Sequence, residues 1–174
     1  AVLSVGIKGE LSSGGILRIS SGKDYMSLGA IQRSLQDIQI SAQEDVVLAS
    51  KLTFSKWESG SDGNKDIHYV DDHVESLVQS GRHLLVRAGN SIDVTSSKLR
   101  IGDSAYFDSG KNTILGASYM TDYSSSERAW DVDHWLWTDS YHEFSDSTHT
   151  SAKGSDVKVG DSELALGSFL VHAG

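Results

Sequence analysis

Short runs of alternating apolar and polar residues recur along this chain, each closed by a turn. Ile16, Arg18 and Ile19 open one run; Ile38 and Ile40, followed by Val46 and Leu48, form another. A period near two predicts short β-strands rather than helices. Four segments align: Gly15–Asp24, Asp37–Asp45, Gly81–Asn90 and Gly167–Gly174, with a looser copy at Gly102–Asn112. Placing their turns at Gly22, Gln43, Gly89, Gly110 and Gly174 gives steps of 21, 46, 21 and 64 residues. Two steps are a single period of 21. The others are one or two periods plus about one insertion each.

A period of 21 is too short for repeats built from helix pairs, which need about 33 residues or more. It fits one coil of a β-solenoid. Each unit holds a strand, a Gly-x-Asp or Gln-x-Asp turn, and a second strand such as Tyr25–Leu28, Val46–Leu48, Ile92–Thr95 or Thr113–Leu115. Glycine suits a turn through its tolerance of positive φ, and Asp through hydrogen bonds to its own backbone. One unit alone buries almost nothing, whereas stacked units bury a continuous apolar column. An antiparallel β-sandwich would explain the strands but not the register. The expected fold is therefore all-β: a right-handed parallel β-helix of ~21 residues per coil and about six to seven coils, with right-handedness following the general preference of parallel crossovers. The expected core is Ile16, Ile19, Leu28, Ile38, Ile40, Val46, Leu48, Leu84, Val86, Ile92, Val94, Ile114, Leu164, Leu166 and Leu170.

Two insertions break the pattern, and both read as protruding hairpin-like arms on a single domain spanning 1–174. The first covers about 55–80 and centres on the turn residues Ser61-Asp62-Gly63-Asn64, between stretches that carry aromatics. The second covers about 119–151 and contains Trp130-Asp131-Val132-Asp133-His134-Trp135-Leu136-Trp137. Trp135 and Trp137 alternate with Leu136, which on a strand aims both indoles the same way. Trp130, Trp135, Trp137 and Tyr141, with Phe144 beyond, are the candidate binding residues. They either cover the flank of the stack or form an exposed patch for glycan, lipid or a partner protein.

Composition narrows the field. The 174 residues include no proline and no cysteine, so every strand N–H is free to donate, and disulfides, thiolate metal sites and cysteine nucleophiles are excluded. Twenty-four acidic residues against 15 basic ones give a net charge of −9, which argues against a nucleic-acid partner. No apolar run approaches the roughly 20 residues of a transmembrane helix. No leader peptide is visible and the chain stops within a repeat, so a piece of a longer protein is expected.

The repeated units, above all Ser21-Gly22-Lys23-Asp24-Tyr25-Met26-Ser27-Leu28-Gly29-Ala30 and Val86-Arg87-Ala88-Gly89-Asn90-Ser91-Ile92-Asp93-Val94, carry a resemblance over nearly the whole chain. They resemble the hemagglutinin repeats of filamentous hemagglutinin-like exoproteins, including the contact-dependent growth inhibition proteins of Gram-negative bacteria. That resemblance implies a right-handed parallel β-helix within a long filament on the cell surface or secreted, exported by an outer-membrane two-partner transporter and serving adhesion or toxin delivery. The partners it implies are the rest of the exoprotein, the transporter, and target-cell envelope glycan, lipid or receptor. The chain departs from the full-length pattern in lacking the amino-terminal secretion domain and a toxin region, and its arms are more aromatic.

Other chemistry reads weakly. Asp71-Asp72-His73 and Asp131-Asp133-His134 each offer carboxylate and imidazole, but neither matches a defined metal motif, so both read as solvated loops with no metal or cofactor. Asp103, Asp108, Asp122 and Asp131 show no spacing that sets an acid against a base, as a polysaccharide-cleaving β-helix requires. No serine-nucleophile elbow or phosphate loop is present, and no catalytic residue is assigned. The alternatives to a filament segment are a β-solenoid spike of a puncturing device and a polysaccharide-active enzyme.

Overall fold

A computed structural model describes residues 1–61, 63–160 and 168–174, with the side chains of Ser168 and Phe169 not described. The protein is all-β, and no helix occurs among the described residues. The strands run β1 (Leu3–Val5), β2 (Glu10–Ser13), β3 (Leu17–Ser21), β4 (Tyr25–Leu28), β5 (Ile31–Ser34), β6 (Ile38–Ala42) and β7 (Val46–Ala49). Next come β8 (Lys51–Ser61), β9 (Asn64–Val74), β10 (Leu77–Ser80), β11 (His83–Ala88), β12 (Ile92–Thr95), β13 (Lys98–Ile101) and β14 (Ser104–Ser109). The last are β15 (Thr113–Asp133), β16 (Thr138–Gly154), β17 (Asp156–Val159) and β18 (Ser168–Ala173). They fall into two compact units. The first comprises Ala1–Lys51, His73–Ser118 and Lys153–Gly174; the second comprises Leu52–Asp72 and Tyr119–Ala152.

In the first unit the strands form three parallel columns. One is ordered β1-β4-β7-β12 and ends on the start of β15, a second is ordered β17-β13-β10-β5-β2, and the third is ordered β18-β14-β11-β6-β3. Partners in the third column are Leu17 with Ile38, Ile38 with Leu84, Leu84 with Ala105, and Ala105 with Phe169. These separations reproduce the 21, 46, 21 and 64 steps of the turn positions. The second column repeats the first three of them as Glu10 with Ile31, Ile31 with Leu77 and Leu77 with Lys98.

Side chains alternate across each strand, so one parity faces a shared interior. Ile19, Ile38, Ile40, Leu84, Val86, Ala105 and Phe107 come from the third column; Tyr25, Val46, Leu48, Ile92 and Val94 from the first; Val78, Leu99 and Ile101 from the second. Nine of the expected core positions are buried here: Ile19, Ile38, Ile40, Val46, Leu48, Leu84, Val86, Ile92 and Val94. Four are not. Ile114 pairs with Asp93 and Leu170 with Tyr106, which gives both the outward parity, and they are 50% and 59% exposed. Leu28 lies out of phase with the buried Tyr25 and Ser27 of its own strand. Ile16 precedes β3 and is 42% exposed. Leu164 and Leu166 lie outside the described residues.

Two interior groups are polar. Gln32 occupies an inward site between Leu11 and Val78, fully buried, with neither amide atom hydrogen-bonded among the described residues. The Tyr25 hydroxyl is likewise buried without a hydrogen bond of normal geometry, and burial pushes its pKa up to about 12, outweighing the opposite influence of the nearby Ser27 hydroxyl. Each orphan costs about 1–3 kcal/mol relative to a satisfied or apolar replacement.

The turns work differently from the expectation. Asp24 Oδ1 accepts the N–H of Asp45 at 3.3 Å, and Asp45 Oδ1 accepts the N–H of Ser91 at 3.0 Å. The acidic side chains thus tie neighbouring repeats together instead of bonding their own backbone. Gly89 and Gly110 are required for closeness rather than for φ. A Cβ on Gly89 would lie 2.0 Å from the Gln43 carbonyl oxygen, and one on Gly110 would lie 2.2 Å from that of Gly89. Buried serines complete the corners, as where Ser80 Oγ bonds the carbonyl oxygens of Gln36 at 2.8 Å and His83 at 2.6 Å.

Candidate functional site

The second unit is a sheet in which β9 lies beside β8 and pairs antiparallel with β15, and β15 also pairs with β16. Leu77–Ser80, expected to belong to the first insertion, instead forms β10 of the second parallel column. Within the sheet the β9–β15 register runs from Asp122 opposite Val70 to Arg128 opposite Asn64. Past that point β15 continues to Asp133, so its hairpin with β16 extends beyond the end of β9.

The pairing assembles two sets of aromatics. Phe54, Tyr69 and Tyr123 run across neighbouring strands at ring separations of 5.6 and 5.8 Å, with the Lys56 ammonium 5.6 Å from the Tyr69 ring centre. Trp57 meets His68 at 5.2 Å. Further out, Trp130 stacks on Tyr141 at 5.6 Å with planes 13° apart, and His134 stacks on Trp137 at 4.9 Å. The structure therefore unites Trp130 with Tyr141, as their positions on facing strands require.

It corrects the reading of Trp135 and Trp137. They do not alternate along a strand: His134–Trp137 is a four-residue turn between β15 and β16, closed by the His134 N–H donating to the Trp137 carbonyl at 2.7 Å. Polar pairs on both flanks fix this turn, with Thr138 Oγ1 donating to Asp133 and Ser140 Oγ to Asp131, each at 2.7 Å. The Trp137 indole N–H donates to Asp139 at 3.4 Å, and His134 Nε2 lies 3.3 Å from the same carboxylate. At the tip Trp135 is 88% exposed, Leu136 66% and Trp137 54%. Trp130, Tyr141 and Phe144 are also exposed.

Charge divides as sharply as burial does. The second unit holds twelve acidic and three basic residues, whereas the first holds twelve of each. The whole net charge of −9 therefore belongs to the second unit, together with all four tryptophans and four of the seven histidines. Sequence reasoning missed this partition. Summing charge over the two insertions would have found it.

The remaining candidates sit apart from one another. Asp71 and Asp72 lie on β9 rather than in a solvated loop, and Asp71 accepts the Thr121 N–H at 3.3 Å. His73 is buried, because its strand carries it back into the first unit. Its Nδ1 lies 2.8 Å from Ser50 Oγ, and Ser118 Oγ lies within 3.4 Å of both ring nitrogens. Ser118 shares a 2.6 Å contact with Ser96, a non-glycine residue at φ 52. This hydroxyl cluster satisfies a buried imidazole within the first unit. Asp103 pairs with Arg82 at 3.8 Å and Asp108 with Arg87 at 3.6 Å, while Asp131 accepts from Ser140. Asp122 is half-buried on β15. A shallow groove of about 450 Å³ on the second column contains one of these carboxylates, Asp103, beside Arg100 and Lys158. No group of three metal-ligating side chains occurs among the described residues.

Two ion-pair clusters carry the clearest carboxylate shifts. Glu58, between Lys56 at 2.7 Å and Lys65 at 2.5 Å, is held down to about 2 by hydrogen bonds from both ammonium groups. Glu75 is lowered by hydrogen bonds from Lys153 and then Lys98. Both clusters tie neighbouring segments of chain together. Comparison with family models, with curated proteins and with solved structures finds no match.

Proposed function

We propose that this chain is a length of right-handed parallel β-solenoid from a secreted or surface filament of the filamentous hemagglutinin-like type, with the second unit as its contact arm. In this reading the first unit is a rigid spacer without catalytic machinery, continuous with the rest of a longer exoprotein that an outer-membrane two-partner transporter exports. The arm meets the target-cell envelope through Trp130, Trp135, Trp137 and Tyr141. The observation that carries the reading is the 21-residue step shared by three parallel columns, with an exposed aromatic sheet inserted between repeats. A repeat that stacks on itself extends without limit and needs no ligand to be stable, which suits a spacer. Exposed tryptophans fit a contact role, since large indole surfaces dominate interface energetics.

The test is binding of the purified chain to Gram-negative cells, compared with a Trp130→Ser/Trp135→Ser/Trp137→Ser variant. Binding by the intact chain and its loss in the variant support the contact arm. If the intact chain does not bind, or the variant binds equally well, the arm is not the contact element.

A further inference from the structure

Resting on the reading of the second unit as a contact arm, we infer that the His134–Trp137 turn is an anchor that inserts into an apolar pocket of a protein rimmed by lysine and arginine. Three observations carry this. First, Trp135 and Leu136 occupy the outermost turn of the β15–β16 hairpin and are the most exposed of the distal apolar side chains apart from Phe144. Contiguous exposed apolar surface with a polar border marks interaction sites. Second, the border is acidic: Asp131, Asp133 and Asp139 flank the turn on both strands, within a unit of net charge −9. A tryptophan ringed by contacts that exclude water is the usual anatomy of a protein–protein hot spot, and charge complementarity sets the sign of the partner's rim.

Third, the same features disfavour the other occupants. Trp130 has one ring face covered by Tyr141 and Trp137 has one covered by His134, so flat open platforms for sugar rings are reduced. An anionic bilayer that took up the indole at the tip would draw the flanking carboxylates of Asp131, Asp133 and Asp139 toward its own charge, and that repulsion extends over a Debye length of about 8 Å at physiological salt. A second copy would bring the same charge against itself.

The experiment uses the full chain on intact Gram-negative cells, on cells shaved with proteinase K, and on protein-free vesicles of neutral and of anionic phospholipid. Trp135→Ser/Leu136→Ser removes the anchor. Asp131→Asn/Asp133→Asn/Asp139→Asn removes the rim charge and keeps an acceptor oxygen for Ser140 and Thr138. The expected result is binding to intact cells that disappears on shaving and is absent from vesicles. It should weaken roughly tenfold or more without the anchor. Without the rim charge, association should slow at low salt and match the parent at high salt. Binding that survives shaving, or that moves to vesicles when the carboxylates are neutralised, overturns the protein pocket and leaves the contact arm standing. So does self-association that tracks the anchor. Absence of binding to intact cells overturns both.

Discussion

The two units solve the stability problem in opposite ways. The first is charge-balanced and buries a column of aliphatic side chains with Tyr25 and Phe107 among them. The second has no fully buried residue among those described, and holds its strands by backbone pairing, cross-strand rings and ion pairs such as Lys56–Glu58–Lys65. Sheets without a buried face are marginal on their own. Packing therefore specifies the first unit tightly, while the second is free to vary its exposed side chains. That division is the one expected of a scaffold and the element it presents.

The sharpest way to break the comparison is a carboxylate at matched positions. Val86→Asp places an unpaired charge at a fully buried site and should cost about 4 kcal/mol or more, abolishing the cooperative melt followed by circular dichroism. Val132→Asp in the second unit should leave that melt in place. Equal effects would mean that the inward parity assigned to β11 is wrong.

Alkaline pH probes the interior next. The folded state holds the Tyr25 proton more tightly than the unfolded chain, so this stability is fully present below pH 10 and is lost as pH rises toward 12. The loss should total roughly 2–3 kcal/mol in denaturant titrations, and Tyr25→Phe should remove it. A slope unchanged by that substitution would show a solvated phenol. Smaller and opposite in sign, Gln32→Leu should stabilise the protein by about 1–2 kcal/mol, since it replaces an orphaned amide between Leu11 and Val78 with an apolar side chain. Destabilisation would imply a hydrogen-bonded amide. Smallest of all, Trp135→Ser should shift stability by no more than about 0.5 kcal/mol, because the indole packs against little.

The first and third columns are legible in the sequence because the turn residues recur at fixed separations and the closest turns demand glycine, as at Gly89 and Gly110. Parity was harder. A four-residue strand offers two alternations, and in Tyr25–Leu28 the inward pair is Tyr25 and Ser27 while the more obvious apolar pair is Met26 and Leu28. The second column escaped notice because Gln32, Ser34 and Ser80 occupy its interior sites beside Val78 and Leu99. At the tip, the spacing of Trp135 and Trp137 imitates a strand, but the polar pairs flanking it close a turn. Only the facing strand could reveal that. The chemistry of Trp130 and Tyr141 marks them in the sequence, but their stacking depends on a register that sequence alone does not specify.

The 21-residue step also bears on how the chain folds. A strand in any column finds its partner one repeat back, so a stretch can settle on the stretch before it while later residues are still unstructured. Where the second unit intervenes, the separation grows to 46, 58 or 64 residues. Closing a loop becomes costlier only logarithmically, by about 0.6 kcal/mol per doubling of length. The insertions therefore add little to the equilibrium cost of joining the columns. With no proline to isomerise and no cysteine to pair, two of the slow steps that delay folding are missing from these 174 residues. Such a chain can acquire its structure in sequence order, each stretch settling on the one before it.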